Sequence, residues 1–341
     1  MSSGNGKVAH SPRYKVTVGG TTYDETGGQV SDVVVDTTLD GADRVTLTMN
    51  VPFDREQEEF KGFDYSAFST GTSVDVSMGW SGGGTLQPVF VGEIEKLSTN
   101  FSTGSGPSVG VSGYGTMHPM MRGTKDRSWE EMAVTDIVDK EVLSEYFGDT
   151  TVEGGGMERK KIYQERETDW QLVERLAEKY GYQFYTKQNE AFFEPRDSLG
   201  GDSVATLHWG ARLNSFSAEI NEAEAVKTVK VRHWDMENEK EIVGTAEDSE
   251  VKNDKKVVFR KNCDSEEHAT KIAEAKLDSL SSSIASGNGE TARGIPSLTA
   301  GATVTLEGMG SKFSGEYNVT QATHRMGGSG YTTTFQAKEV P

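Results

Sequence analysis

The stretch YQERETDWQLVERLAEKYGYQFY, residues 163–185, changes its periodicity in the middle and decides how the chain around it folds. Its first part has the pattern of an amphipathic helix, and its last four residues have the pattern of an aromatic strand. Thr168 and Gln171 have the spacing of a capping box, in which the side chain of each residue accepts a hydrogen bond from the backbone N–H of the other. Gly181 predicts a left-handed stop. The stretch therefore predicts a helix that turns directly into a strand.

Apolar side chains at helical spacing predict the face that this helix buries, and three carboxylates lie near its start. Glu165, Glu167 and Asp169 are candidates for catalytic groups by residue type. Negative charge near a helix N-terminus is favourable to the helix dipole, so the periodicity favours a structural role for these carboxylates. The predicted buried stripe consists of Trp170, Val173, Leu176, Ala177 and Tyr180.

The segments on either side of this helix predict a mixed α/β middle section at residues 117–205. AFFEP, residues 191–195, pairs naturally with YQFY as a hairpin across the polar turn TKQNE. Upstream, SWEEMAVTDIVDKEVLSEYFG, residues 128–148, predicts one or two helices. Ser128 is the expected cap with Glu131 three residues on, and Gly148 follows the last turn. Met132, Ile137 and Leu143 are its apolar positions.

Residues 13–116 predict a first small β-barrel, preceded by a polar N-terminal tail at residues 1–12. Between Tyr14 and Gly115 the chain alternates in short apolar runs separated by glycine-rich turns, which predicts six or seven strands. Gly19-Gly20 and Asp40-Gly41 are the expected hairpin turns.

Residues 206–341 predict a second β-barrel with one inserted helix at about 264–285. Asp264 is the expected cap of this helix. The tail from Gly301 matches the segment from Gly71 in strand lengths and in the positions of turns over about forty residues. Either the chain contains a duplicated barrel around a mixed insert, or two β meanders resemble each other by chance. The predicted apolar side of the inserted helix consists of Ala269, Ile272, Ala273, Lys276 and Leu280.

The composition limits the classes of partner. Lys and Arg total 35 and Asp and Glu total 53 among 341 residues, so the formal net charge is −18. Such a charge argues against nucleic acid and against an anionic membrane surface as the main ligand. A negative charge of this size keeps a protein soluble, is typical of a protein from a high-salt host, or forms an acidic surface that does not bind an anionic cargo passing over it. The N-terminus lacks the apolar segment of a signal peptide, so we expect assembly in the cytoplasm of the producing cell.

No group of residues predicts an active site, a metal site or a cofactor. The G-x-S-x-G pattern at residues 79–83 is followed by a strand rather than a helix, so it predicts a turn. The glycine-rich segments GSGPSVG and GNGETARG lack the lysine of a phosphate loop and also predict turns. Glu130-Glu131 and Glu266-Glu267 fit the first turns of predicted helices. A glycosidase pair stays open as an alternative, because the sequence does not show the separation of two carboxylates in space. Cys263 is expected to be a passive residue rather than a reactive thiol, and chance accounts for the sequons at Asn100 and Asn318. Surface or packing positions are expected for the histidines, which are His10, His118, His208, His233, His268 and His324.

The stretch at 163–185 resembles the signature of the phage late control D and VgrG proteins. In that signature a helix with the motif Y-x-E-T-D-x-x-x-x-x-R-L-A-E-x-x-G is followed by an aromatic strand. The tail, GIPSLTAGATVTLEGMGSKFSGEYNVTQATHRMGGSGYTTTF, is similar to the closing segment of that family. Ala300 stands where a second proline is common. FVGEIEKL also matches, and the resemblance covers about residues 13–341. The signature residues are Tyr163, Glu167, Thr168, Asp169, Trp170, Leu176, Gly181, Pro296, Gly301, Gly315, Tyr317 and His324.

The resemblance implies a structural protein, not an enzyme: a homotrimeric baseplate hub of a contractile phage tail or contractile injection system. In that family each protomer carries two similar β-barrels, and three protomers adapt a threefold spike to a sixfold inner tube. The expected partners are a separate spike protein, the tube protein or its initiator, and other baseplate proteins, with no specific nucleic acid and no membrane insertion. We expect the protein in a virion or an extracellular tail-like particle. A carbohydrate-processing or peptidase enzyme of such a particle is the alternative, and a secreted β-sandwich binding module is a third class.

Overall fold

The computed structural model describes residues 11–340 except 83, 103–105, 155–157, 197–200, 220–225, 236–237, 250, 252–253, 262, 264 and 281–285. The fold is mostly β. The strands, numbered in chain order, are β1 Pro12–Val18, β2 Thr21–Asp24, β3 Val30–Thr38, β4 Arg44–Met49, β5 Phe53–Asp54, β6 Glu59–Phe60, β7 Ser73–Trp80, β8 Gln87–Asn100, β9 Ser108–Gly115, β10 Lys125–Ala133, β11 Asp149–Val152, β12 Glu158–Glu167, β13 Tyr182–Lys187, β14 Glu190–Pro195, β15 Ala205–His208, β16 Leu213–Glu219, β17 Thr228–Asp235, β18 Lys240–Glu247, β19 Lys256–Arg260, β20 Ser286–Thr291, β21 Thr303–Glu307, β22 Gly315–Gly327 and β23 Gly330–Glu339.

Helical elements are fewer and shorter. The helices are α1 Val134–Asp136, which continues as a π-helical turn Ile137–Val142 and a 3₁₀ turn Leu143–Glu145, α2 Asp169–Tyr180 and α3 Glu266–Leu280, with further 3₁₀ turns at Tyr65–Phe68 and His118–Met121. Within the described ranges, α2 and α3 are the regular α-helices longer than two turns, and residues 134–145 form a further helical run of mixed type.

A curled sheet of thirteen strands forms the frame of the molecule, and it contains two sets with the same strand order. The first set runs β3-β4-β9-β8-β7, and the second runs β16-β20-β23-β22-β21. Strand β1 lies beyond β7, and β15 lies beyond β21. The sets match position by position, including the meanders β7-β8-β9 and β21-β22-β23. Whether each set closes as a separate barrel stays a prediction.

The long strand β22 joins the two sets edge to edge. Its first residues pair with β21, from Gly315 opposite Leu306 to Asn318 opposite Thr303. Its later residues pair with β3 along the same edge, from Gln321 opposite Thr38 to Met326 opposite Val33. One strand of thirteen residues therefore serves both halves of the sheet.

Alternating burial explains why these segments form sheet strands. Along β9, for example, every second residue is buried, as the alternation of apolar and polar residues requires. The core under the first set consists mainly of aliphatic side chains, but Met326 and Tyr331 from the end of the chain also pack in it. The core under the second set surrounds Tyr317 and Phe335.

The middle section contains a ribbon and a small sheet, with α2 packed on both. Strands β10 and β12 form the antiparallel ribbon, and β11, β14 and β13 form the sheet. The prediction of helix from Ser128 is wrong in its first half. Ser128, Glu130, Glu131 and Met132 lie in β10, where Trp129 is buried against Ile162 of β12, so cross-strand packing overrides the local capping pattern.

The predicted inserted helix is present as α3, but it belongs to a larger insert. Strands β17, β18 and β19 form a separate sheet, and α3 packs on it with its own apolar core. Gly244 of β18 permits this contact, because a Cβ there would lie 2.1 Å from the backbone of Ala269. Ser265 Oγ accepts a hydrogen bond from the His268 backbone N–H at the helix start, whereas the predicted cap Asp264 lies outside the described residues.

Three further differences concern short segments. The segment GNGETARG, predicted as a turn, supplies most of β20, an inner strand between β16 and β23. The stretch from Phe53 to Phe68 holds β5, β6 and a 3₁₀ turn that the sequence did not predict, packed through its aromatic rings. The first strand begins at Pro12, within the predicted tail. Over the described ranges, no helix is long and apolar enough to cross a membrane.

Candidate functional site

The helix of the opening stretch is capped at both ends as predicted. Thr168 Oγ1 accepts from the Gln171 backbone N–H at 3.1 Å, and Gln171 Oε1 accepts from the Thr168 N–H at 2.9 Å. Gly181 ends the helix with φ +77°. The predicted stripe is buried, with Trp170 only partly so, and Leu172 is buried in addition. The helix and the strand after it are thus fixed locally.

Asp169 is the chemically unusual residue of this region, because it is a carboxylate with no exposed side-chain surface. Lys125 Nζ donates to it at 2.7 Å and Tyr146 Oη at 2.7 Å. Gln164 Nε2 donates at 2.9 Å, and Arg127 forms a further ion pair. These donors come from β10, β12 and the turn after α1. The carboxylate therefore holds three elements against the start of α2. We name Asp169 and its four donors the Asp169 clasp.

The electrostatics of the clasp follow from its donors. Burial by itself would raise the pKa of Asp169, but hydrogen bonds from Lys125, Tyr146 and Gln164 and the charge of Arg127 hold this pKa below its usual range. Glu145 is ion-paired to both cations from the outside, at 2.5 Å to Lys125 and 3.0 Å to Arg127. The ionised carboxylate is satisfied by its donors, which suits a structural role.

The other two candidate carboxylates are not at the helix N-terminus. Glu165 and Glu167 lie on β12, because the chain stays extended until the cap at Thr168. Glu167 forms a two-point ion pair with Arg175, both distances being 2.8 Å. Arg175 also donates to the Tyr163 carbonyl at 2.7 Å. These signature residues tie β12 to the outer face of α2, while the Tyr163 ring itself is exposed.

The tail signature meets the middle section at one junction. Gly301 adopts φ +75°, and a Cβ there would lie 2.9 Å from the Tyr185 ring. Lys187 Nζ donates to the Gly301 carbonyl at 3.1 Å. Tyr185 packs with Leu39 and Ala300, so the first strand set, the middle section and the tail contact one another here. Ala300, where the resemblance led us to expect proline, donates its N–H to Thr37 Oγ1 at 2.9 Å, a bond that proline lacks.

A cavity of about 100 Å³ adjoins this junction and contains a buried carboxyl group. Asp43 lines it together with Lys187 and Thr299. Burial raises the pKa of Asp43 to about 7, although its Oδ1 accepts from the Thr38 N–H at 3.0 Å. Burial also lowers the pKa of Lys187. The junction is therefore a place where the chain tolerates poorly solvated ionisable groups.

The remaining signature residues are spread along the second strand set. Gly315 begins β22, and Tyr317 is fully buried, with its hydroxyl donating to the Phe313 carbonyl at 3.0 Å. Pro296 lines a cleft of about 600 Å³ between the two sets, beside Trp80. His324 is buried, with Nδ1 3.0 Å from the Tyr331 hydroxyl and 3.1 Å from Thr333 Oγ1. The twelve signature residues thus lie in two groups, around α2 and along the tail.

Replacing His324 with glutamine is expected to change the acid sensitivity of folding. Burial lowers the pKa of His324 to about 4, so the native state keeps the ring neutral while an unfolded chain protonates it near 6.5. The contribution of His324 to the free energy of unfolding is fully present above about pH 6.5. It decreases as the pH falls toward 4, because the unfolded chain then binds a proton that the native state does not. Between pH 7 and pH 5 the wild type should lose about 2 kcal/mol relative to His324→Gln.

Urea unfolding of both proteins at several pH values measures this difference. Asp43 and Glu174, whose pKa values are both raised to about 7, make the protein more stable as the pH falls, which is opposite to the effect of His324. Their contribution is the same in both proteins, so it cancels in the difference between wild type and variant. A wild-type–variant gap that is constant over this pH range contradicts a neutral buried His324.

The other candidates occupy ordinary structural positions. Ser81 lies in the turn between β7 and β8, as predicted. Cys263 is buried just before α3. Glu130 and Glu131 lie on β10, where Glu130 pairs with Lys161, whereas Glu266 and Glu267 begin α3 as predicted. In the described part of the chain, no group of three or more His, Cys, Asp or Glu residues is placed to hold a metal ion.

The fold is similar to that of solved phage tail proteins. The prophage MuSo2 43 kDa tail protein of Shewanella oneidensis is 14% identical, with a TM-score of 0.75 over 97% of this chain and 99% of its own. A tail protein of Neisseria meningitidis MC58 is 15% identical, with a TM-score of 0.72 over 96% and 97% of the two chains. The c3393 protein of E. coli is 14% identical, with a TM-score of 0.58 over 91% and 73%. That protein is described as a component of the type VI secretion system with structural similarity to T4 bacteriophage tail proteins gp27 and gp5.

A family model described as the Alg8 N-terminal domain matches residues 9–327, and the chain belongs to this family. No curated protein sequence matches the chain. Membership in the late control D family stays a prediction.

Proposed function

We propose that this protein is a structural baseplate hub of a contractile phage tail or contractile injection system. In this role it forms a homotrimer, and it links a spike to the hexameric inner tube or the tube initiator, in contact with other baseplate proteins. Its contribution is mechanical rather than catalytic. The assembled protein belongs to a virion or tail-like particle.

The observation that carries this proposal is the pair of strand sets with one shared order in a single sheet. A protomer with two equivalent sets presents six such sets when three copies surround an axis. An assembly of this kind offers threefold symmetry at one end and near-sixfold symmetry at the other. The likeness of the fold to tail proteins over nearly the whole chain supports the same role.

The oligomeric state of the purified chain tests the proposal. Light scattering after size-exclusion chromatography is expected to give three times the 37.1 kDa of one chain. Electron microscopy of the same sample should show a ring with six similar lobes. A protein that stays monomeric at every concentration tested contradicts the hub role.

The trimer is expected to loosen at low ionic strength. Each copy carries a net charge of −18, so three copies repel one another unless salt screens the charge. The screening length falls from about 30 Å at 0.01 M salt to about 8 Å at 0.15 M. Light scattering across this range should show a larger trimer fraction at the higher salt concentration. Equal trimer fractions at both concentrations contradict this expectation.

A further inference from the structure

A basic groove crosses the surface where the middle section meets the inserted unit. It lies between α2, α3 and the end of β19, and its volume is about 390 Å³. Five of the seven described residues that line it are cations, in a protein whose net charge is strongly negative. The lining residues are Arg175, Glu178, Lys179, Arg260, Lys261, Ile272 and Lys276.

Described carboxylates pair with two of these five cations. Lys276 Nζ lies 2.6 Å from Glu178 Oε1, and Arg175 pairs with Glu167. Lys179 lies over the Tyr180 ring, 5.2 Å from its centroid. Arg260 and Lys261 are exposed at the end of β19. Among the described lining residues, five cations face one carboxylate, that of Glu178, so their summed charge is positive.

The pKa of Glu178 shows which charge state of a carboxyl group the groove stabilises. The hydrogen bond from Lys276 and its charge hold the pKa of Glu178 below its usual range, against the opposing effect of burial, and Lys261 adds to this shift. The groove therefore favours an ionised carboxylate. Ile272 supplies an apolar contact that suits the methylene groups of a glutamate side chain.

The cations stand on elements that are fixed relative to one another. Helices α2 and α3 contact through the stacked rings of Tyr180 and His268, 5.3 Å apart. A Cβ at Gly181 would lie 3.1 Å from the Ala275 Cβ, so the end of α2 is close to α3. The Lys261 N–H donates to the Arg232 carbonyl at 3.2 Å and holds the end of β19 on the sheet. A ligand then meets cations whose backbone positions are already fixed, which lowers the entropy cost of binding.

We propose that this groove binds an acidic segment of a partner protein, a short run of Asp and Glu side chains. Charge complementarity favours this occupant over the neutral or basic surface of another protein. Nucleic acid is a weaker candidate, because the described lining residues include no aromatic side chain on which bases stack and the net charge of the chain repels polyanions. The inference concerns the groove alone and does not depend on the hub role.

A peptide titration with the full chain tests the groove. The probe is a fluorescently labelled hexaglutamate peptide, followed by anisotropy at low salt. The groove variant is Arg260→Glu with Lys261→Glu. The matched control is Lys15→Glu with Lys338→Glu, two exposed lysines on β1 and β23 of the large sheet, which changes the net charge equally. We expect about a tenfold weaker binding for the groove variant, and the control should stay within about twofold of the wild type.

Two results overturn the inference. One is an equal loss of peptide affinity in both variants, which shows a general charge effect. The other is that oligothymidylate or inorganic tripolyphosphate binds as tightly as the peptide does, which shows a site for phosphate anions. Neither result affects the oligomeric state, which is measured separately and tests the hub role.

Discussion

Replacing Asp169 with alanine is expected to lower the free energy of unfolding by about 3–5 kcal/mol, because it leaves two cations and two polar groups without their common acceptor. Lys125, Arg127, Tyr146 and Gln164 all donate to this buried carboxylate. Loss of the acceptor detaches β10 and the turn after α1 from the start of α2. Urea denaturation followed by circular dichroism measures the change.

Glu145→Ala is the matched control, since Glu145 pairs with the same two cations but its side chain is 45% exposed. Its removal should lower stability by less than about 1 kcal/mol. The contribution of Asp169 is present above the unfolded pKa of about 3.9 and is lost as the pH falls through its lower native pKa. Equal effects of the two substitutions contradict the clasp.

Replacing Tyr331 with alanine is expected to lower the free energy of unfolding by about 3–5 kcal/mol, as for other buried aromatic residues. Tyr331 lies on β23 of the second strand set, yet it packs in the core of the first. Its ring stacks on Trp80 with centroids 5.7 Å apart, and its hydroxyl lies 3.0 Å from His324 Nδ1. Differential scanning calorimetry should show one cooperative transition in the wild type and a lower melting temperature in the variant.

The variant Tyr331→Phe distinguishes the contribution of the ring to stability from that of the hydroxyl group. This variant keeps the packing against Trp80 and removes the hydroxyl with its hydrogen bond to His324, so about 1 kcal/mol should be lost. If Tyr331→Phe is as destabilising as Tyr331→Ala, the hydrogen bond rather than the packing between the two halves carries the stability.

Local patterns predicted the elements whose stability is decided within a few residues. The cap at Thr168, the stop at Gly181 and the hairpin from Tyr182 to Pro195 are all in place. The turns at Gly19-Gly20 and Asp40-Gly41 also join strands as predicted. In each case the determining contact spans fewer than about ten residues, which a pattern can encode directly.

Contacts between distant residues decided the rest. Nothing around Ser128 distinguishes a helix start from a strand until Trp129 meets Ile162 across the ribbon. Asp169 has the pattern of an ordinary first-turn carboxylate, and its cations lie 44 and 42 positions earlier in the chain. The segment around Lys125 and Arg127 is polar, with Thr124, Asp126 and Ser128 beside them, so local sequence gives no signal of a buried acidic partner.

The junction of β3 with β22 has a consequence for how the molecule responds to force. Six consecutive residue pairs link the halves there, with hydrogen bonds perpendicular to the strands. A pull directed along the strands loads all of these bonds at once as shear, whereas a pull that separates the edges opens them one after another. Side-chain bonds from Thr323 to Asp36 and from Arg325 to Asp32 cross the same line. The molecule should therefore be stiffest along the direction of β22 and yield first across it.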